Sequence, residues 1–503
     1  MPNVNGYIGI RDANTFDYTG SNAPGGNFAW QLKTPMLYRR WYPTVTALGT
    51  SGEALAISGQ RYGGPIGTNG GVQALIPEVY NGTTWLPLTG ASRLIPSYPW
   101  MFLAPNGQVF NAGPNPDAKF LDTNTRNSSG VRVGAWGAAT YTTRLGTTQP
   151  GMGREYGSAV MYAPGKILIL GGANANGVTN TTELIDINAP ASAAFQTAAP
   201  MLFARTHVNA TILADGTVLA TGGTKARSNS DYDAVLHAEL WQPGGTWTLL
   251  NEMSVPRLYH STAVLLPDAT VLTTGGGEGA NFTPHPDYQI FTPPYLCKGL
   301  PRPEISSAPQ AVAYGQVFTV SSPDADAIRN AGRATLVRLS SVTHSFNMNQ
   351  RFIQLTIANA KYGQLYLTAP SDPNVCPPGH YMLFLIDGNG TPSHASIIAF
   401  NTSACTSLSI TQTSPSVNPN DCSRETSFTV NGGSPTSTYV WTVNGATFST
   451  QPNQTTIQVV TSTANPTVQV AVKLDNSACG ASSTLTSYFP GCFGTAARSE
   501  PGK

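Results

Sequence analysis

Charged residues are scarce in this chain. Lys, Arg, Asp and Glu make up 11% of the 503 residues, and 27 basic against 26 acidic side chains leave a formal net charge of +1. No block of like charge occurs, so neither nucleic acid nor an anionic membrane is an expected partner. No apolar run approaches the roughly 18 residues that a transmembrane helix needs. The sequence therefore predicts no transmembrane segment.

Cysteine is missing from the first 296 residues, and the six cysteines stand at 297, 376, 405, 422, 479 and 492. None has the CxxC spacing of a structural zinc site. An even number of cysteines in a chain rich in Asn, Thr and Ser predicts disulfides and an oxidising compartment, hence a secreted or cell-surface protein. Met1 is followed by Pro-Asn-Val-Asn-Gly, which is not a secretion signal. We therefore expect that the signal peptide was lost with a missing N-terminus.

Helical periodicity is also hard to find, whereas 51 Gly and 39 Pro indicate an all-β protein with many turns. Five segments share one pattern, in which two apolar strands joined by a turn end at small residues. The last glycines of these stops are Gly59, Gly113, Gly172, Gly223 and Gly276, at steps of 54, 59, 51 and 53 residues. A period of about 50 with a Gly-Gly stop is typical of the kelch repeat, which forms one four-stranded propeller blade. We expect the glycines to relieve crowding on the innermost strands.

A short lead-in segment precedes each stop by about 16 residues. The five lead-in segments contain Arg40-Trp41-Tyr42, Ser97-Tyr98-Pro99, Arg154-Glu155-Tyr156, Arg205-Thr206-His207 and Arg257-Leu258-Tyr259-His260. Equivalent positions on successive blades ring one end of a propeller's channel, so Tyr42 and Tyr259 should face each other. At the frayed start of a strand, consecutive residues such as Tyr259 and His260 can reach one point. Phenolate oxygen and imidazole nitrogen are ligands that suit Cu(II). We interpret Tyr156, His207 and the arginines as blade-packing or channel-rim residues, and such a ring would equally suit a bound polar molecule.

Three motifs make the pattern more specific. They are Arg-Trp-Tyr-Pro-Thr at 40–44, Arg-Leu-Tyr-His-Ser with Leu-Leu-Pro-Asp at 257–268, and Thr-His-Ser-Phe-Asn at 343–347 followed by Gln350-Arg351. Together they resemble the galactose oxidase/glyoxal oxidase family of copper radical oxidases, on its glyoxal oxidase side, over residues 5–403. The resemblance implies a kelch β-propeller at 1–296, of whose seven blades about five and a half are present. It also implies an Ig-like β-sandwich at 297–403.

The same resemblance implies one Cu(II) held by Tyr42, Tyr259, His260 and His344. Tyr42 would become the catalytic tyrosyl radical, and axial Tyr259 would take the proton of a coordinating hydroxyl as general base. The implied substrate is a primary alcohol or an aldehyde hydrate, oxidised by O2 to the aldehyde or acid with release of hydrogen peroxide. The enzyme is expected to be a monomer.

Two positions depart from the family pattern. Its radical tyrosine is cross-linked to a cysteine thioether from a preceding blade, and no cysteine stands before Cys297. We therefore expect a chain that lacks about two N-terminal blades and is inactive in this form. The position that carries a stacking Trp in galactose oxidase falls near Gln60-Arg61, which disfavours a galactose-type pocket.

The composition changes from Ala404, where Ser, Thr, Asn and Pro dominate. Residues 404–493 are predicted to form a PKD-like or other Ig-like module, a spacer or an appendage that binds carbohydrate or the cell wall, and 494–503 a disordered tail. Its four cysteines would form two disulfides of which three connectivities remain open. Cys297 and Cys376 could form a further pair.

Two other functions compete with the oxidase. A non-catalytic kelch propeller binding carbohydrate at the cell surface would have the same fold. It does not need two phenols and two imidazoles at one pole, which disfavours it. A hydrolase is disfavoured because the chain has neither a paired-carboxylate signal nor a nucleophile elbow.

Overall fold

The fold is nearly all β. The computed structural model describes residues 8–17, 29–62, 72–142, 153–277 and 283–400, and the strand segments 409–413, 416–417, 424–431, 438–444, 447–448, 456–461, 467–475 and 482–488. The chain divides into two compact units, Met1–Thr402 and Ser403–Lys503. The first unit contains every predicted site residue.

Five antiparallel sheets follow one another along the first unit and form the blades of a propeller. Four have four or more strands, and blade 5 has three among the residues that the structure describes. The strands are Thr44–Ala47, Ala54–Ile57, Glu78–Tyr80 and Trp85–Pro87 in blade 1; Trp100–Leu103, Val109–Gly113, Asp117–Asp122, Ala135–Trp136 and Tyr141–Thr142 in blade 2; Ser158–Ala163, Lys166–Leu170, Thr182–Asp186 and Gln196–Ala198 in blade 3; Asn209–Ile212, Val218–Thr221, His237–Trp241 and Trp247–Glu252 in blade 4; and Thr262–Leu265, Val271–Thr274 and Tyr288–Phe291 in blade 5. The kelch-like propeller predicted from the repeat is confirmed.

The sequence analysis expected the glycine stops to lie on the innermost strands, and the structure places them elsewhere. Successive blades touch through their first strands, whereas each glycine pair follows the second. The second glycine of a pair has a left-handed backbone, with φ of 93° at Gly172 and 89° at Gly223. A Cβ at Gly223 would stand 2.5 Å from the carbonyl oxygen of Thr206. A Cβ at Gly222 would stand 2.5 Å from the carbonyl oxygen of Arg257. The pair is therefore needed because its second glycine meets the lead-in backbone of its own blade and its first meets that of the next blade.

Each lead-in arginine forms an ion pair with an acidic residue of its own blade, and we call such a pair a clamp. The guanidinium of Arg205 lies 2.5 Å from the carboxylate of Glu239 on the third strand of blade 4, and both side chains are fully buried. The pairs Arg40–Glu78, Arg154–Glu183 and Arg257–Asp287 repeat this arrangement at 2.7, 2.9 and 2.9 Å. Blade 2 has no lead-in arginine. Of the two interpretations given above, blade packing is the correct one for these arginines.

A β-sandwich follows blade 5 within the same unit. Its strands, in spatial order, are Ala311–Val312, Ser396–Phe400, Gly379–Ile386, Arg333–Arg338, Phe352–Lys361, Gln364–Thr368 and Val317–Ser321. Ala325–Ala331 is an α-helix packed on this sheet. Alternating buried residues such as Leu336, Leu365 and Leu383 form its own core. This confirms the predicted sandwich.

Smaller elements complete the first unit. Three two-stranded hairpins pair Ala13–Asp17 with Ala29–Lys33, Gln60–Tyr62 with Val72–Gln73, and Ala173–Asn174 with Gly177–Val178. Short 3-10 turns occupy Thr89–Ala91, Pro190–Ser192, Asp231–Asp233 and Pro294–Leu296. Among the described residues, no helix is long and apolar enough to span a bilayer.

The second unit has two sheets. One contains Ser409–Gln412, Ser416–Val417, Arg424–Asn431, Thr447–Phe448 and Thr456–Thr461, and the other Thr438–Asn444, Thr467–Asp475 and Ser482–Tyr488. The four cysteines after 403 and the predicted disordered tail lie outside the described residues.

In the first unit the suggested pairing of Cys297 with Cys376 is wrong. Both thiols are free, because Cys297 is exposed after blade 5 whereas Cys376 is buried in the sandwich core.

Candidate metal centre

An aromatic residue with a left-handed backbone stands two residues before the first strand of every blade. These residues are Tyr42, Tyr98, Tyr156, His207 and His260, with φ between 49° and 68°. Bulky side chains adopt this region only when their surroundings hold them there. Part of that hold is a backbone hydrogen bond between neighbouring lead-in segments. The amide of Tyr98 donates to the Tyr42 carbonyl at 2.9 Å, and that of His207 to the Tyr156 carbonyl at 2.7 Å.

Blade 5 differs from the other blades by one residue. The lead-in arginine precedes the left-handed residue by two positions in blades 1, 3 and 4 but by three in blade 5, from Arg257 to His260. The additional residue is Tyr259. Its ring stacks on that of His260 with centroids 4.0 Å apart. This insertion explains how a phenol and an imidazole on consecutive residues reach the same point.

His344 comes from the sandwich and reaches the same place on a tight turn. The backbone of Thr343 and Phe346 pairs in both directions at 2.8 and 3.0 Å, and His344 and Ser345 have φ of 50° and 67°. The hydroxyl of Ser158 in blade 3 donates to the Ser345 carbonyl at 3.0 Å. The turn is therefore fastened to the propeller directly beside the imidazole.

The four residues predicted to hold the metal are brought together. The hydroxyl oxygens of Tyr42 and Tyr259 are 3.3 Å apart. The His344 ring lies 4.2 Å from that of His260, 4.7 Å from Tyr42 and 5.3 Å from Tyr259, measured between centroids. Residues that are 217 and 302 positions apart in sequence thus form one cluster of two phenols and two imidazoles.

Burial favours the protonated phenol of Tyr259 and the neutral imidazole of His344. Loss of solvent raises the pKa of Tyr259, and its hydrogen bonds to Tyr42 and Tyr156 raise it further. Burial, reinforced by the neighbouring His260, lowers the pKa of His344 to about 4. The cluster therefore presents neutral imidazole at neutral pH, the form in which histidine binds metals.

Three residues that the sequence analysis treated as background, or did not single out, belong to this cluster. Tyr156 is hydrogen bonded to Tyr259. His207 packs against both, with centroids 4.4 Å from Tyr156 and 5.2 Å from Tyr259. Tyr98 stacks on Tyr42 at 4.6 Å with 24° between the planes. The signal was present in the sequence, because all three occupy the lead-in position that identified Tyr42.

A cavity of about 560 Å³ opens beside Tyr42. Aromatic rings of Trp41, Tyr98, Tyr156 and Phe346 line it together with the amides Gln60, Gln73, Asn115 and Asn174. Glu155 and Arg227 are its only charged lining residues in the described part of the chain, and they lie 2.5 Å apart as an ion pair. The cavity thus carries no unbalanced charge next to the cluster.

Comparison with known proteins agrees with this architecture. The family model "Galactose oxidase-like, Early set domain" matches residues 302–400, the β-sandwich. A fungal alcohol oxidase solved in complex with copper is similar in structure, with a TM-score of 0.67 and 27% identity. The similarity covers 79% of this chain and 82% of that one.

Two of the curated relatives are oxidases as well. The chain is 31% identical over 400 residues to galactose oxidase of Gibberella zeae, covering 74% of this chain and 55% of the relative. It is 31% identical over 216 residues to aldehyde oxidase GLOX of Vitis pseudoreticulata, covering 39% and 41%. The chain thus spans about half the length of the curated relatives it matches.

Proposed function

The chain belongs to the galactose oxidase-like family of copper radical oxidases, and from that membership we propose that the cluster of Tyr42, Tyr259, His260 and His344 is a mononuclear copper site. The reaction we propose is oxidation of a primary alcohol or an aldehyde hydrate by O2. One molecule of hydrogen peroxide is released for each alcohol converted to aldehyde or each hydrate converted to acid. The observation that carries the proposal is the convergence of His344, from the sandwich, on three ligands of the propeller.

The residues present fit a copper ion. Among the described residues no group of three or more His, Cys, Asp and Glu side chains is placed to hold a metal, so phenols must complete any site here. Nitrogen and oxygen donors of this kind suit Cu(II). The Nε2 atom of His344 is buried and has no hydrogen-bond partner in the described part of the protein. A metal site requires such a ring nitrogen, whose lone pair is not already used in a hydrogen bond.

Each residue has a separate task in this proposal. Tyr42 borders the cavity, so an oxidised Tyr42 side chain would meet the substrate carbon and remove its hydrogen atom. Tyr259 lies beside it and would accept the hydroxyl proton of the substrate. Bound copper would supply the second one-electron acceptor and would lower the pKa of a coordinated phenol. This chain has no cysteine before Cys297 to form the family's thioether with Tyr42. We therefore propose that turnover by these 503 residues alone is slow or absent.

The cavity supports a small, neutral substrate. A carboxylate in it would have to compete with Glu155 for Arg227, whereas hydroxyl and carbonyl groups can bind the amides. The aromatic walls accommodate an apolar portion. We propose a glyoxal-like aldehyde or a primary alcohol, an extracellular location, a monomer, and a carbohydrate-binding or spacer role for residues 404–493. Support for the extracellular location and for the role of residues 404–493 is the composition described above.

The experiment is copper loading followed by two measurements on wild type, His344→Ala and Tyr42→Phe. We expect wild type to bind one Cu(II) per chain by elemental analysis and electron paramagnetic resonance. His344→Ala should lose it, whereas Tyr42→Phe should keep most of it. Copper-loaded wild type is then assayed for peroxide with glyoxal, methylglyoxal and galactose. Equal copper retention by His344→Ala would refute the site. Because no cysteine precedes Cys297, we expect copper retention with little or no peroxide from these 503 residues. A wild type that binds no Cu(II) would favour the non-catalytic propeller.

A further inference from the structure

Two residues outside the proposed ligand set control the imidazole of His344. The Oγ1 atom of Thr343 lies 2.7 Å from Nδ1 of His344, and the Thr343 hydroxyl is also hydrogen bonded to the Tyr98 phenol. An unbroken chain thus runs from His344 through Thr343 to Tyr98. It begins on Nδ1, whereas the other ring nitrogen, Nε2, is buried and has no hydrogen-bond partner in the described part of the protein.

The donors of this chain can be assigned. If Nδ1 carries the proton it donates to Thr343 Oγ1, and the Thr343 hydroxyl then donates to the oxygen of Tyr98. This assignment gives both Nδ1 and the Thr343 hydroxyl an acceptor and leaves the lone pair of Nε2 available for a metal. The opposite tautomer would place a proton on buried Nε2 with no protein acceptor.

Tyr98 is itself held in place on three sides. Its ring stacks on Tyr42 at 4.6 Å and on Phe346 at 5.2 Å, and lies 4.8 Å from the His344 ring. The residue also has the left-handed backbone of the lead-in position, with φ of 49°. Tyr98, the last residue of this hydrogen-bond chain, is therefore fixed by its ring contacts and by the backbone of blade 2.

We propose that Thr343 and Tyr98 are positioning residues for the proposed copper site, fixing His344 in the tautomer and orientation in which Nε2 is the ligand atom. This inference rests on the proposed function. It adds that a single hydroxyl, one residue before the ligand, decides how well the sandwich completes a site whose other ligands belong to the propeller. Partners of this kind typically change metal affinity by about 10–100-fold.

The test uses four variants of the full chain, Thr343→Val, Thr343→Ser, Tyr98→Phe and Tyr98→Leu. Thr343→Val removes the hydroxyl at nearly constant shape, and Thr343→Ser retains it. Cu(II) affinity is measured by chelator competition, with thermal unfolding of the copper-free proteins to verify folding. For Thr343→Val we expect about 10–100-fold weaker Cu(II) binding and a changed electron paramagnetic resonance spectrum of the bound Cu(II). Thr343→Ser should remain within about 3-fold of wild type, and Tyr98→Phe should fall between the two. Tyr98→Leu, which also loses the stack on Tyr42, should be weaker than Tyr98→Phe.

A second measurement separates this inference from the proposed function. In copper-free protein labelled with ¹⁵N-histidine, the ring nitrogen shifts report the tautomer, and His344→Gln identifies the signals. We expect wild-type His344 to be protonated at Nδ1 and Thr343→Val to show a mixture. Wild type that binds no copper but holds this tautomer would refute the copper site alone. Equal affinity and equal tautomer in Thr343→Val and wild type would overturn the positioning role.

Discussion

At the residue scale, the site depends on side chains held in an uncommon backbone conformation. A non-glycine residue in the left-handed region costs of order 1–3 kcal/mol. Each blade nevertheless places one aromatic residue there, and the inter-blade hydrogen bonds of Tyr98 and His207 offset part of that cost. Immediately before the first strands of their blades, these residues bring their rings into contact, as Tyr42 does with Tyr98 and Tyr156 with His207.

His207 should make copper-free protein sensitive to acid. Burial, reinforced by nearby His260 and His344, lowers the pKa of His207 to about 3. Because the pKa of folded His207 lies below that of free imidazole, the unfolded chain binds the proton more readily between these values. The stabilisation is complete above about pH 6.5 and is lost as the pH falls toward 3. Between pH 7 and 5 this residue should lower the free energy of unfolding by about 2 kcal/mol.

Denaturant unfolding at both pH values, with chelator present, measures this dependence. His207→Phe removes the titrating group and should flatten the pH dependence by that amount. His394→Phe makes the same change at an exposed position and should leave the slope of wild type. An unchanged slope in His207→Phe would show that its proton uptake does not differ between the folded and unfolded states.

At the element scale, every blade except blade 2 is closed by an ion pair between its lead-in arginine and a carboxylate that lies on the third strand or, in blade 5, directly before it. Arg205 also donates to the carbonyls of Gly222 and His237, and Glu239 accepts from the amides of Leu202 and Phe203. One clamp therefore joins the lead-in segment, the glycine stop and the third strand. It holds the backbone from which His207 projects.

Removing one partner of this clamp should be costly. Glu239→Gln keeps the shape but leaves the Arg205 charge buried without its counter-ion, which should lower the free energy of unfolding by about 3–5 kcal/mol. Glu155→Gln breaks a pair that is about half exposed, so its cost should stay below about 1 kcal/mol. Denaturant titration of both variants at one pH measures the difference. Similar values for the two variants would contradict a structural role for the clamp.

The sequence predicted the propeller elements well and their internal contacts poorly. The glycine period identified all five blades, because strand ends recur wherever a turn needs glycine. The partner of Arg205 could not be read from the sequence, because the arginine-to-acid spacing varies from 29 to 38 residues between blades. The reason for the glycine pairs was also misjudged, since their contact with the lead-in backbone becomes visible only in three dimensions.

At the scale of the whole molecule, the sequence predicted that the propeller and the sandwich of the first unit both contribute residues to the site. Motif resemblance placed His344 with Tyr42, Tyr259 and His260, and the structure brings the four together. The contribution of Thr343 was not predicted, because a hydroxyl beside a histidine acquires a role only when the turn is folded. The division at residues 296 and 403 stays a prediction.

Gln350 joins the sandwich to the propeller a few residues beyond His344. Its side-chain amide donates to the Ala210 carbonyl at 2.7 Å, and its oxygen accepts from the Ile212 amide at 2.8 Å. Both partners lie on the first strand of blade 4, and Gln350 is 1% exposed. Arg351 adds a hydrogen bond to the Leu103 carbonyl in blade 2 at 2.9 Å. The His344 turn is thus fixed to two different blades by consecutive side chains.

Gln350→Leu should weaken the metal site and the fold together. It leaves a buried amide and a buried carbonyl of blade 4 without partners, at about 1–3 kcal/mol for each group. Calorimetry should show a lower unfolding temperature, and chelator competition should show weaker Cu(II) binding, because the His344 turn loses a support without losing a ligand. Gln354→Leu makes the same change at an exposed strand position and should alter neither quantity. If Gln350→Leu lowers stability but binds Cu(II) as tightly as wild type, the His344 turn must be positioned by the Ser158 and Arg351 contacts alone.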